Sequence, residues 1–226
     1  MQRLINVLEN EKSYLEGDDF YHKLNSHTVI NTIPCVHILH GQMDAKIVGD
    51  VAKYMDTIND NSANNDLVAN ITGDQSNMNL FDDLLNGYRD QLVKSCCDYV
   101  EIHTNIEREI VPCGCWSVKM NAGDFNPVHK HESPSSSGIA TIFYVKVPNN
   151  LNANLKDGCL DFSWIRQTPD VKDIFYPRDT TTVMPQVGDY YVFPKWLNHC
   201  VYPMKGNQPR WSLQTNFDIL PLVENQ

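Results

Sequence analysis

The sequence has no apolar run approaching the roughly 18 residues that a membrane-spanning helix requires, so a membrane protein of that type is not expected. It also lacks any stretch rich in Lys and Arg. The 18 basic residues are outnumbered by 28 acidic ones, for a net charge of −10. A nucleic-acid groove or an anionic membrane surface calls for the opposite sign. The opening stretch "MQRLINVLENEKSYLEGDD" has no basic segment leading into an apolar one, so no secretory signal is expected. Seven cysteines are an odd number, and without a secretory signal they are expected to be reduced thiols in the cytoplasm. Cys113 and Cys115 lack both the two-residue gap and the second pair of a zinc knuckle, and read as alternating strand positions. Internal repeats and low-complexity tails are missing too.

What is present is an ordinary globular composition, with 42% hydrophobic and 20% charged residues in 226, enough for a sizeable core. The chain changes character near residue 110. Before it, "HTVINTIPCVHILHG" (27–41) reads as a β-branched strand ended by Gly41. "DAKIVGDVAKYMDTIND" (44–60) has helical spacing of Ile47, Val48, Val51, Tyr54, Met55 and Ile58, with Asp44 as its N-cap. Residues 61–79 read as a polar connection. Residues 79–103 form a second helix, with Leu80, Leu84, Tyr88, Leu92 and Cys96 recurring every four residues and Gly87 weakening its interior.

After residue 110 come short strands with turn signals between them: 115–121, 137–148, 158–164, 180–185, 188–194, 198–203 and 210–220. No helical pattern separates them, so a sandwich or barrel is expected, covered on one sheet by the helices of the first half. No linker divides the halves. The expectation is a single domain, 1–226, with a helix-rich supporting part (1–110) and a β-rich core (111–220).

Within that core, "NPVHKHESPSSSG" (126–138) places His129 and His131 one residue apart, although the chain has only eight histidines. Residues i and i+2 of a strand share a face, so both imidazoles can reach one ion, and imidazole suits zinc, copper, nickel or iron. A third candidate, His199, opens a predicted strand in the apolar setting of "FPKWLNHCVYP". On the last strand, Trp211, Leu213, Thr215, Phe217 and Ile219 alternate with Arg210, Ser212, Gln214, Asn216 and Asp218. The polar set is either solvent-exposed or the lining of a barrel mouth. In a mouth, Arg210 can grip a carboxylate with two parallel hydrogen bonds and Ser212 can add a third.

These residues together resemble the iron(II)- and 2-oxoglutarate-dependent oxygenases, in particular a subgroup found in phage and bacterial genomes. The resemblance rests on Trp116, "HKH", "SSG" before "IATIFYV", "MPQVGDYYVFPKWLNH" and "RWSLQTN", and covers roughly residues 110–220. It implies a mostly β, double-stranded β-helix (jelly-roll) fold flanked by N-terminal helices. It implies a cytoplasmic enzyme (in the host cytoplasm if phage-encoded) that uses Fe(II), 2-oxoglutarate and O2, with an ascorbate-like reductant. The implied reaction is a hydroxylation, coupling oxidative decarboxylation of 2-oxoglutarate to C–H oxidation, with no catalytic side chain beyond the metal site. By this resemblance His129 and His199 are metal ligands, Arg210 and Ser212 hold 2-oxoglutarate, and Tyr144 adds a hydrogen bond to it.

One departure stands out. The superfamily carries a carboxylate two residues after the first histidine, where this chain has His131, followed by Glu132. Three arrangements are open: a three-histidine site, Glu132 in place of His131, or two histidines with water. Strand alternation favours His131, because Glu132 would point to the opposite face, although Pro134 signals that the strand ends there. Two other readings remain beside the oxygenase: a cupin-like metalloenzyme that does not need Arg210, and a non-enzymatic jelly-roll binding or virion protein. The substrate, a protein side chain or a small molecule, is not legible, and the acidic charge disfavours nucleic acid.

Overall fold

The computed structural model describes residues 36–58, 74–104, 108–131, 137–163, 180–206 and 208–220. Their elements lie in the compact unit that begins at His37. Helix α1 (Ala45–Thr57) starts where the sequence predicts, with the Asp44 side chain accepting from the Ile47 N–H and so satisfying one of the free first-turn donors. Helix α2 (Asn86–Thr104) begins later than its apolar spacing suggests, because Asp83–Leu85 forms a 3-10 turn. Gly87 therefore falls in the helix's first turn, where its flexibility costs little. No described helix is long and apolar enough to cross a membrane.

The strands are β1 (Leu39–Gln42), β2 (Asp74–Asn77), β3 (Ile110–Met120), β4 (Asn126–His129), β5 (Gly138–Lys146), β6 (Leu160–Ser163), β7 (Thr180–Val183), β8 (Asp189–Pro194), β9 (Asn198–Val201) and β10 (Arg210–Ile219). They form two antiparallel sheets, ordered β1-β8-β5-β10-β3-β2 and β4-β9-β6-β7. From β3 onward the chain passes repeatedly between the sheets, so apart from the consecutive β6–β7 pair the strands join partners distant in sequence, as in the expected double-stranded β-helix.

Two expectations for the first half need correction. Gly41 does not end a strand but lies inside β1, where a Cβ would come within 2.3 Å of the Tyr190 ring. The glycine is needed for close approach rather than for a turn. The polar segment 61–79 is not wholly a connection, since Asp74–Asn77 pairs with β3 as an edge strand. The parts of these segments at 27–35 and 59–73 lie outside the described residues.

Alternation gives the large sheet two unlike faces. Its outer face carries Ile139, Phe143, Val145, Tyr190, Val192, Leu213 and Phe217, all buried against Val51 and Met55 of α1 and Tyr88, Leu92 and Cys96 of α2. Polar groups in this contact are paired: the Thr215 and Tyr88 hydroxyls lie 2.9 Å apart, and Thr141 Oγ1 donates to the Thr215 carbonyl at 2.9 Å. Fully buried aromatics of this kind dominate the stability of such a layer. The inner face carries Arg210, Ser212, Gln214 and Asn216 of β10 beside Met120, Val118 and Trp116 of β3 and Tyr144 and Ile142 of β5. The pairing of β10 with β3 slips once, between Asn216 and Phe217, leaving Cys113 as an extra residue in β3. Cys113 and Cys115 are therefore not simple alternating positions.

Candidate metal centre

His129 ends β4 and faces His199 of β9 across an antiparallel pair. β4 stops at His129, so His131 is not held by the ladder that the i, i+2 argument assumes. The main chain continues nonetheless: the His131 N–H donates to the Lys195 carbonyl at 2.9 Å, just before β9. One potential ligand atom from each of the three histidines lies within 4.8 Å of the others. Ring centroids are 4.1 Å apart for His129 and His199, 5.0 Å for His131 and His199, and 5.4 Å for His129 and His131. Phe193 packs edge-on against His199, and Trp116 lies against His131.

The tautomers follow from the acceptors. Each Nδ1 faces an oxygen: Pro127 O at 2.8 Å from His129, Leu197 O at 3.0 Å from His199, and Asn216 Oδ1 at 2.8 Å from His131. A carbonyl oxygen only accepts, so each Nδ1 carries the hydrogen and each Nε2 keeps its lone pair for an ion. Burial pushes the His129 basicity down, against the Pro127 hydrogen bond. It pushes His131 to about 4, aided by His129 and Lys195 and opposed by Asn216. It takes His199 well below its ordinary value, with the two neighbouring histidines adding to the effect. All three are thus neutral near pH 7, the form that binds a metal.

The same cavity extends to Arg210, only 2% exposed, at the start of β10. Its Nη1 donates to the Gly158 carbonyl at 3.2 Å and its Nη2 lies 3.0 Å from Met120 Sδ, while Nε has no partner. Its guanidinium carbon sits 5.6 Å from the centre of the Tyr144 ring. The buried Tyr144 hydroxyl is likewise unpartnered, and burial raises it to about 12, so it stays a neutral donor. Ser212 accepts from Gln214 Nε2 at 2.9 Å, leaving Gln214 Oε1 unpaired, and Asn126 Oδ1 is unpaired as well. Buried polar atoms are normally satisfied, so four orphans lining one cavity mark a place built for a polar ligand. The donors Arg210 and Tyr144 fit the carboxylate of a keto acid, and the three Nε2 atoms fit a divalent metal.

The structure thus brings His129, His131, His199, Tyr144, Arg210 and Ser212 to one cavity, while Glu132 lies outside the described residues. Sequence reading did not assign a role to Asn216, which orients His131, or to Asn126 and Gln214. The signal for Gln214 and Asn216 was the alternation that puts them on the Arg210 side of β10.

Comparison with known proteins bears on this site. Residues 114–216, which contain all six of these side chains, match the family model described as "Putative 2OG-Fe(II) oxygenase". Among solved structures, the fold is similar to a Pseudomonas putida prolyl-4-hydroxylase, at 13% identity over 83% of this chain and 95% of that one, with a TM-score of 0.56. It is also similar to a Trichoplax adhaerens prolyl hydroxylase solved with a hypoxia inducible factor peptide fragment, at 12% identity, 81% and 83% coverage and a TM-score of 0.55. AviO1 from Streptomyces viridochromogenes matches at 12% identity, 81% and 91% coverage and a TM-score of 0.53. No curated protein matches the sequence.

Proposed function

We propose that this chain, whose residues 114–216 match the 2OG-Fe(II) oxygenase family model, is a member of that family and holds Fe(II) on His129, His131 and His199 and 2-oxoglutarate on Arg210. When bound, iron and 2-oxoglutarate supply the oxidising chemistry: O2 is consumed, the keto acid is converted to succinate and CO2, and a substrate C–H bond is hydroxylated. The chain's residues do the positioning. The three carbonyl-anchored imidazoles present Nε2 lone pairs from one side, which leaves the remaining metal positions to small ligands. Arg210 and Tyr144 offer donors for the far carboxylate, and Ser212 lies opposite Tyr144 on the neighbouring strand. Trp116, Val118 and Ile142 wall the cavity, with Phe193 packed against His199, and keep its dielectric low, which strengthens the carboxylate–guanidinium pair.

The observation that carries this reading is the shared cavity of three free Nε2 atoms and a buried guanidinium whose Nε lacks a partner. A cupin-like enzyme without 2-oxoglutarate would leave that guanidinium unexplained, and so would a non-enzymatic jelly roll. The acidic net charge and free cysteines support action in the cytoplasm on a small molecule or protein rather than on nucleic acid. The test is anaerobic titration of the iron-loaded protein with 2-oxoglutarate. A visible metal-to-ligand absorption band, followed by succinate formation on admitting O2, is expected. No band and no succinate would defeat the reading.

A further inference from the structure

The charge of the cavity points to the class of substrate. A ligand set of two histidines and one carboxylate leaves a divalent ion with one net positive charge, whereas three neutral imidazoles leave it with two. An imidazole that donates through Nδ1–H while Nε2 binds metal is neutral, and all three histidines are arranged in that way. Arg210 adds a further buried positive charge. None of the described residues lining the cavity is Asp or Glu. Among the described residues the buried acids, and Asp218, are engaged elsewhere: Asp157 accepts from the Lys205 N–H at 2.6 Å. Asp161 is held by Lys156 at 2.7 Å and Tyr202 at 2.9 Å. Asp189 accepts from the Gln186 N–H and pairs with His40, and Asp218 pairs with Lys195.

A 2-oxoglutarate dianion therefore cancels two of three positive charges and leaves one inside a water-poor cavity. Buried charges in proteins are paired, so the balance calls for another negative group. We infer that the cavity takes a monoanion in addition to 2-oxoglutarate, and that the substrate is one that brings a carboxylate, or a group of equal charge, to the metal. The inference rests on the three-histidine, 2-oxoglutarate reading above. Histidine at position 131 is then a specificity determinant: it withdraws the charge that a protein carboxylate would supply and leaves the substrate to provide it.

The test uses the full chain loaded with Co(II), whose visible spectrum reports the metal's surroundings, saturated with 2-oxoglutarate and held at fixed ionic strength. Acetate is the probe, followed by the cobalt spectrum and by calorimetry. One saturable acetate site per protein is expected. His131→Asp supplies the missing charge and should weaken acetate by at least about tenfold while keeping the metal and 2-oxoglutarate, since removing a close charge partner typically changes binding by that much or more. Glu132→Gln should leave acetate binding unchanged. In a panel of paired acids and their carboxamides, acids should displace acetate and amides should not.

Non-saturable acetate binding in the unmodified protein overturns the inference, whether or not His131→Asp loads metal. Equal acetate affinity in His131→Asp overturns it too, and so does displacement by amides. Tighter acetate binding in Glu132→Gln would assign the charge to Glu132 and also overturn it. These outcomes are separate from failure of the parent reading, in which 2-oxoglutarate itself leaves the cobalt spectrum unchanged.

Discussion

The two faces of β10 are built to opposite rules. On the side facing the helices, Leu213, Thr215 and Phe217 are wholly buried, and the one polar side chain, Thr215, lies within hydrogen-bonding distance of the Tyr88 hydroxyl. On the cavity side, Arg210 Nε and Gln214 Oε1 are buried and unpaired, one strand away from an unpaired Tyr144 hydroxyl. Residues adjacent in sequence thus divide the work. One face is finished by folding, and the other keeps donors and acceptors that a polar ligand can complete. Local rules are broken where function needs them broken, and the cost is borne by the well-packed face.

Substitutions on each face can break this contrast. The largest effect is expected from His199→Ala, which removes the most buried of the three proposed metal ligands. Metal analysis should show loss of stoichiometric iron, and succinate formation should fall by more than the roughly 10- to 100-fold typical of residues that only support a ligand. On the helix side, Phe217→Ala should cost about 3–5 kcal/mol of stability by leaving a cavity, read as a lower denaturation midpoint. Its folded fraction should still bind 2-oxoglutarate normally. If the stability loss came instead with a selective loss of 2-oxoglutarate affinity, the faces would not be independent.

Arg210→Met should reverse the pattern. Affinity for 2-oxoglutarate should fall by roughly 2–5 kcal/mol, as when one partner of a buried charge pair is truncated. The ligand-free protein should be no less stable than the parent, because an unpaired buried charge has been replaced by an apolar side chain of similar length. A large drop in ligand-free stability would show that the guanidinium is structural. The smallest effect is expected from Asn216→Ala, which removes the acceptor that fixes His131. Iron affinity should weaken by about 10- to 100-fold with little change in the denaturation midpoint. Unchanged iron affinity would remove His131 from the site.

Much of this division was legible in the sequence because alternation is a short-range property. The parity of "RWSLQTNFDIL" separated Arg210 and Ser212 from Leu213 and Phe217 without any partner strand. Apolar spacing likewise exposed both helices, and Asp44 announced the first of them. Other features depend on contacts that no window contains. β2 is a short polar edge strand that pairs on one side only, so it carries no apolar signature. Gly41 reads as a terminator until Tyr190 is seen lying across it. His131 reaches the cluster by bonding to the Lys195 main chain beyond the end of β4, and its partner Asn216 comes from a strand of the other sheet. The candidate residues that share the cavity stood out because β-branched and aromatic strands framed them, whereas Asn126 and Gln214 had only a polar character shared with many surface residues.

The slip at Cys113 has a reach beyond its own position. Before it Ile110 turns toward the helical core while Val111 stays exposed, and after it Cys115 takes the core side and Trp116 the side of His131. Cys113 thus acts as a frame-shift written in the folded chain: it changes which residues count as odd and which as even. Deleting that single residue would remove the shift itself: Pro112 and Gly114 would follow one another opposite Phe217 and Asn216 in an unbroken ladder. Ile110 would keep its core side and Trp116 its place against His131, so the extra residue can be lost without turning either half of the strand over.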